Sequence, residues 1–146
     1  MSDNFNVKPP VLFWLLGGLF LLWGLMGCGM YLAEVMMSDE AYGEAFGADL
    51  LAVRDVYPVW AIAGYASAVW SGLLAAILFL LRKRLSAVIF VFSLLAAIIG
   101  FIPSFTNSVL REAAGPSFWV MPLIVVVLGS FEVWYSRKQS AKGILR

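Results

Sequence analysis

The chain has 146 residues, 62% of them hydrophobic and only 13% charged, with a net charge of +1. A globule this small leaves too much surface exposed to hide that apolar excess, so an ordinary water-soluble domain is excluded and lipid is the expected surrounding. There is no basic field for nucleic acid, no histidine to act as general base, metal ligand or pH switch, and one cysteine, Cys28, which excludes an intrachain disulfide.

Residues 1–8 are polar, and Pro9-Pro10 suits the first turn of a helix, whose amides lack internal partners. No charge interrupts residues 11–33, a run worth roughly 35 Å as a helix against a hydrocarbon core of about 30 Å. Leu25-Met26-Gly27-Cys28 resembles a lipoprotein cleavage box. The run before it is long for a signal core and has only Lys8 as a basic flank, so it is read as a retained helix. Further uncharged runs cover 57–81 and 85–106, and a fourth covers 116–135 with Glu132 as its one interruption. Helices alone satisfy their own backbone polar groups in lipid. The expected fold is therefore all-α: a polytopic four-transmembrane-helix bundle forming one membrane domain over 1–146. About three residues join the second and third spans, which makes those helices antiparallel neighbours.

Residues 34–56 form the one substantial extramembrane loop. It carries Glu34, Asp39, Glu40, Glu44, Asp49 and Asp55 against Arg54 alone. Ser38 can cap a helix whose first turn holds Asp39 and Glu40, as the helix dipole favours. Tyr42, Phe46, Leu50, Val53 and Tyr57 then recur at helical spacing, predicting a short amphipathic helix on the surface. Gly43 and Gly47 weaken it by about 1 kcal/mol each. Eight of the ten Lys and Arg residues fall on one side of the four spans: Lys8, Arg82, Lys83, Arg84, Arg137, Lys138, Lys142 and Arg146. Only Arg54 and Arg111 fall on the other, so the first side is expected to be cytoplasmic, with both termini.

Small residues recur every fourth position in the second span, as Gly64, Ala68, Gly72 and Ala76 and as Ala63, Ser67, Ser71 and Ala75. Such stripes let another backbone approach, either within one bundle or from a second copy or partner subunit. Ala96, Gly100 and Ser104 form a shorter series, and Gly17, Gly18, Gly24 and Gly27 dot the first span. Phe13, Trp14, Trp134 and Tyr135 mark one interface, and Tyr31, Tyr57, Trp60, Phe118 and Trp119 the other, whereas Trp23 and Trp70 sit near mid-span. Pro103 and Pro122 are expected to free the carbonyls of Ile99 and Phe118 in the outer halves of their spans. Tyr31, Glu34, Tyr57, Trp60, Ser104, Asn107 and Trp119 share that depth, along with Thr106, and could line an outward-facing pocket for a small polar solute. Glu132 lies one turn from the cytoplasmic end beside Arg137 and Lys138, where snorkelling or pairing is the expected role.

Leu22-Trp23 through Gly27 to Tyr31, Tyr57-Pro58-Val59-Trp60, and Gly72-Leu73-Leu74 leading to Leu80-Leu81-Arg82-Lys83-Arg84 resemble small four-span bacterial inner-membrane proteins often labelled sugar transporters. The resemblance covers the first two helices and their joining loop, and it implies a bacterial inner-membrane location. Where that family carries an asparagine after the tryptophan and an aspartate before the tyrosine, this chain has Gly24 and Met30. No residue set points to catalysis, a cofactor or a metal. The expected role is a non-catalytic packing or accessory component, a homo-oligomer or part of a larger membrane complex, with a sugar-like solute transporter or channel as the alternative. Small multidrug transporters use a membrane-buried glutamate and a weak orientation bias; here no acid lies mid-span and the basic bias is strong.

Overall fold

A computed structural model describes residues 7–146; residues 1–6, most of the polar N-terminal segment, lie outside the described residues. The described residues form seven helices and no strand: α1 (Val11–Met36), α2 (Asp39–Phe46), α3 (Ala48–Val56), α4 (Val59–Leu80), α5 (Leu85–Thr106), α6 (Ser108–Ala114) and α7 (Val120–Ala141). Four of them, α1, α4, α5 and α7, are long and apolar enough to cross a membrane. Only 22–33% of each hydrophobic window is buried against other helices. Leu15, Leu19, Leu22, Val88, Leu95, Leu123 and Val127 all point outward, a surface that suits lipid tails and not water.

In the bundle α4 packs between α1 and α5, and α5 packs between α4 and α7. Rings bridge the remaining side: Phe20 of α1 meets Phe131 and Tyr135 of α7 at centroid distances of 6.1 and 6.2 Å. Phe13, Phe79 and Phe90 complete this aromatic core, with Ala75 and Ala76 making room for it. A second apolar cluster, Ala68, Ala96 and Ala97, lies further along α4 and α5.

The small-residue stripes serve this packing in part. A methyl on Gly64 would lie 3.2 Å from the Ala96 carbonyl oxygen and the Gly100 nitrogen, so α4 and α5 touch backbone to backbone there. Gly72 faces Ser93 Oγ, and Ser93 in turn donates to the Ala68 carbonyl at 2.7 Å. Gly24 opposes Leu73, where an added methyl would meet the Leu73 Cα at 3.0 Å. Ala63 and Ser67, by contrast, are exposed.

The layout of the helices differs from the sequence reading at three places. The outer loop holds two helices in place of one, because Gly47 adopts a φ of +98° that breaks the run. The break shifts the register, leaving Leu50 exposed while Leu51 approaches Gly43. Asn107 caps an extra short helix, α6, accepting a hydrogen bond from the Val109 amide at 3.0 Å. Pro122 falls in the first turn of α7, which begins at Val120, so it removes no internal hydrogen bond.

The end of the bundle that carries Arg82, Lys83 and Arg84 is closed by residues 142–146. Helix α7 stops at Gly143 (φ +73°), with the Ile144 amide bonded back to the Gln139 carbonyl and the Gly143 amide to Ser140. That pattern is a Schellman stop, and the chain beyond it turns inward. Ile144 and Leu145 are buried against the aromatic core. Helix α4 ends in the same way, Lys83 bonding to Leu78 and Arg82 to Phe79, but the left-handed position is held by Arg82 at φ +61°. The Arg82 guanidinium donates to the carbonyls of Ile144 (3.0 Å) and Val7 (2.8 Å), joining three separate parts of the chain.

Candidate functional site

Polar chemistry gathers at the two ends of the bundle. At the acidic end, Ser38 caps α2 as expected, accepting from the Ala41 amide. Arg54 reaches back across the loop to the Met37 carbonyl (2.9 Å), pairs with Asp39 (3.3 Å) and lies 4.9 Å from the centre of the Tyr42 ring. One cation thereby fixes α3 to the start of α2. Burial first, and then the nearby Glu34 carboxylate, push the Tyr42 phenol above its usual range, with Arg54 opposing them.

Of the seven residues expected to share a pocket at this end, the structure joins two directly. Tyr57 donates to the Gly100 carbonyl at 2.7 Å, and Ser104 Oγ lies 3.3 Å from the same phenol oxygen. This contact sits one residue beyond the Ile99 carbonyl that Pro103 frees inside α5. Tyr31 packs edge-on against Tyr65 and Trp70 at 5.6 and 6.4 Å. Glu34 is half-buried at the end of α1. Trp60 and Trp119 are 52% and 49% exposed, and Asn107 is engaged as a helix cap. Tyr65 is the residue that sequence reasoning missed here; its place one turn after Ala61 on α4 gave only an ordinary aromatic.

The four buried polar side chains among the described residues fall on two helices toward the basic end: Ser86 on α5, and Glu132, Ser136 and Gln139 on α7. The last three recur at spacings of four and three, one face of a helix turned inward. Glu132 is 8% exposed and makes no ion pair with Arg137 or Lys138, so the expected snorkelling is replaced by burial. Ser136 donates to the Val133 carbonyl, while Ser86 Oγ and Gln139 Oε1 have no hydrogen-bond partner. On the outward side of the same helix an open recess of about 420 Å³ is lined by Leu94, Ser130, Val133, Trp134, Arg137 and Lys138. No group of three or more potential metal-ligating side chains converges among the described residues.

Four long apolar helices with an apolar outer surface define the class: a multi-pass, all-helical membrane protein. No protein-family model matches the chain, and neither a curated protein nor a solved structure does.

Proposed function

We propose that this chain is a non-catalytic component of a bacterial inner membrane, held with its basic end in the cytoplasm, that assembles with a second copy of itself or with another membrane subunit. The observation that carries this reading is the divided use of α4. Its Gly64 and Gly72 face α5, whereas Ala63 and Ser67 are exposed on a surface flanked by the exposed rings of Trp60 and Trp70. Small residues on an outward face allow a neighbouring helix close approach, and lipid tails alone give no reason for them. The orientation rests on the basic bias of the connecting segments.

The test is disulfide crosslinking in native membranes from Ser67→Cys in a Cys28→Ala background. Leu19→Cys, on the exposed face of α1, serves as the control. A covalent dimer from position 67 and not from 19 is the expected result for a homo-oligomer. Monomer from both positions, together with a gentle purification that brings down no stoichiometric subunit, contradicts the proposal. The alternative, a facilitator for a sugar-like solute, draws on the Tyr57–Gly100–Ser104 contacts beside half-buried Glu34 and on the family resemblance of the first two helices. Solute flux in liposomes that is lost in Tyr57→Phe would favour it.

A further inference from the structure

The recess on α7 has a polarity that runs along the helix. Ser130, Leu94 and Val133 form its deeper, mostly apolar part, and Trp134, Arg137 and Lys138 follow toward the basic end. From Ser130 to Lys138 the rise is roughly 12 Å, about the distance from upper acyl chain to headgroup. Arg137 and Lys138 are both exposed, and neither has an acidic partner among the described residues. Glu132, the acidic side chain of the same helix, is buried in the bundle. Lys138 Nζ instead rests 4.8 Å from the centre of the Trp134 ring, which holds its charge at the mouth of the recess. Two cations with no acidic partner among the described residues, beside an indole at headgroup depth, are complementary to a phosphate that carries net negative charge.

We infer that this recess between α5 and α7 binds one anionic glycerophospholipid, its phosphate held by Arg137 and Lys138 and an acyl chain lying along Leu94, Ser130 and Val133. A zwitterionic headgroup satisfies the site less well, because its ammonium group is repelled by the same two cations.

The experiment uses the full chain purified in detergent, stripped of lipid, and titrated with phosphatidylglycerol or with phosphatidylcholine of identical chains. Native mass spectrometry counts the lipids retained. The expected result is one phosphatidylglycerol bound, with a preference of about tenfold or more over phosphatidylcholine. Arg137→Gln/Lys138→Gln lowers that affinity about tenfold or more, at about 1 kcal/mol for each cation. Lys83→Gln/Lys142→Gln removes the same charge from the same end outside the recess and changes affinity less than about twofold. Ser130→Trp fills the recess, leaves both charges in place and abolishes the single-lipid stoichiometry. Equal binding of the two lipids, equal loss in both double variants, or unchanged binding in Ser130→Trp would each overturn the inference. So would displacement of the lipid by millimolar inorganic phosphate, since the acyl groove would then contribute nothing.

Discussion

Individual glycines in this molecule divide by what a methyl group would meet. At Gly24 the obstacle is the Leu73 backbone, which can retreat only if α1 and α4 part. Gly24→Ala is therefore expected to destabilise the bundle by about 1–3 kcal/mol, the usual cost of overpacking. At Gly18 nothing lies within 4 Å, and Gly18→Ala is expected to be neutral or to stabilise by up to about 1 kcal/mol through helix propensity. Thermal unfolding of the two variants in the same detergent separates them; equal midpoints would show that the α1–α4 contact is loose. An asparagine at 24 would not fit against Leu73 without moving a helix. Arg82 poses the opposite problem. Its left-handed backbone costs about 1–2 kcal/mol relative to glycine, but its guanidinium makes two charge-assisted hydrogen bonds worth about 1.5–3 kcal/mol each. Arg82→Gly should thus lower the unfolding midpoint even though it relieves the backbone; a raised midpoint would mean that those hydrogen bonds contribute little.

Helices differed in how openly the sequence displayed them. The four spans were legible because lipid imposes a long uncharged run on any helix that crosses it, and the runs at 57–81 and 85–106 agree closely with α4 and α5. The loop helices were harder. Tyr42, Phe46, Leu50, Val53 and Tyr57 keep a helical spacing straight through Gly47, so periodicity predicts one helix where a single positive φ makes two. Helix α6 has only seven residues, too few to show a period, although Asn107 before Ser108 is a capping signal. The inward turn of the C-terminal segment also left a mark, in Gly143 followed by the apolar pair Ile144 and Leu145. A basic rim draws attention to its charges and away from two apolar residues among them. Leu145 is fully buried, so Leu145→Ala should cost about 2–5 kcal/mol and expose amides 144–146 to hydrogen exchange. Unchanged protection there would show that the segment does not close the bundle.

On the scale of the whole molecule the two ends carry opposite chemistry. One is a basic rim closed by the folded-back chain and lined inside by Ser86, Glu132, Ser136 and Gln139; the other is an acidic platform of short helices held by Arg54. The candidate site was only partly legible in the sequence, because depth in a span can be counted but the direction of a side chain cannot. Tyr57 and Ser104 were placed at one depth and do meet, whereas Trp60 and Trp119 share that depth and face outward. Glu132 illustrates the same limit: its neighbours in sequence are cations, but its face of α7 points at the core. The central claim, a four-span protein with the proposed cytoplasmic placement of its basic end, is tested most directly by thiol labelling in intact cells with a membrane-impermeant reagent. In a Cys28→Ala background, Asp49→Cys and Glu112→Cys should label at once, and Lys83→Cys and Lys142→Cys only after permeabilisation. Immediate labelling at 83 or 142, or position 49 labelling only when 83 does, would contradict it.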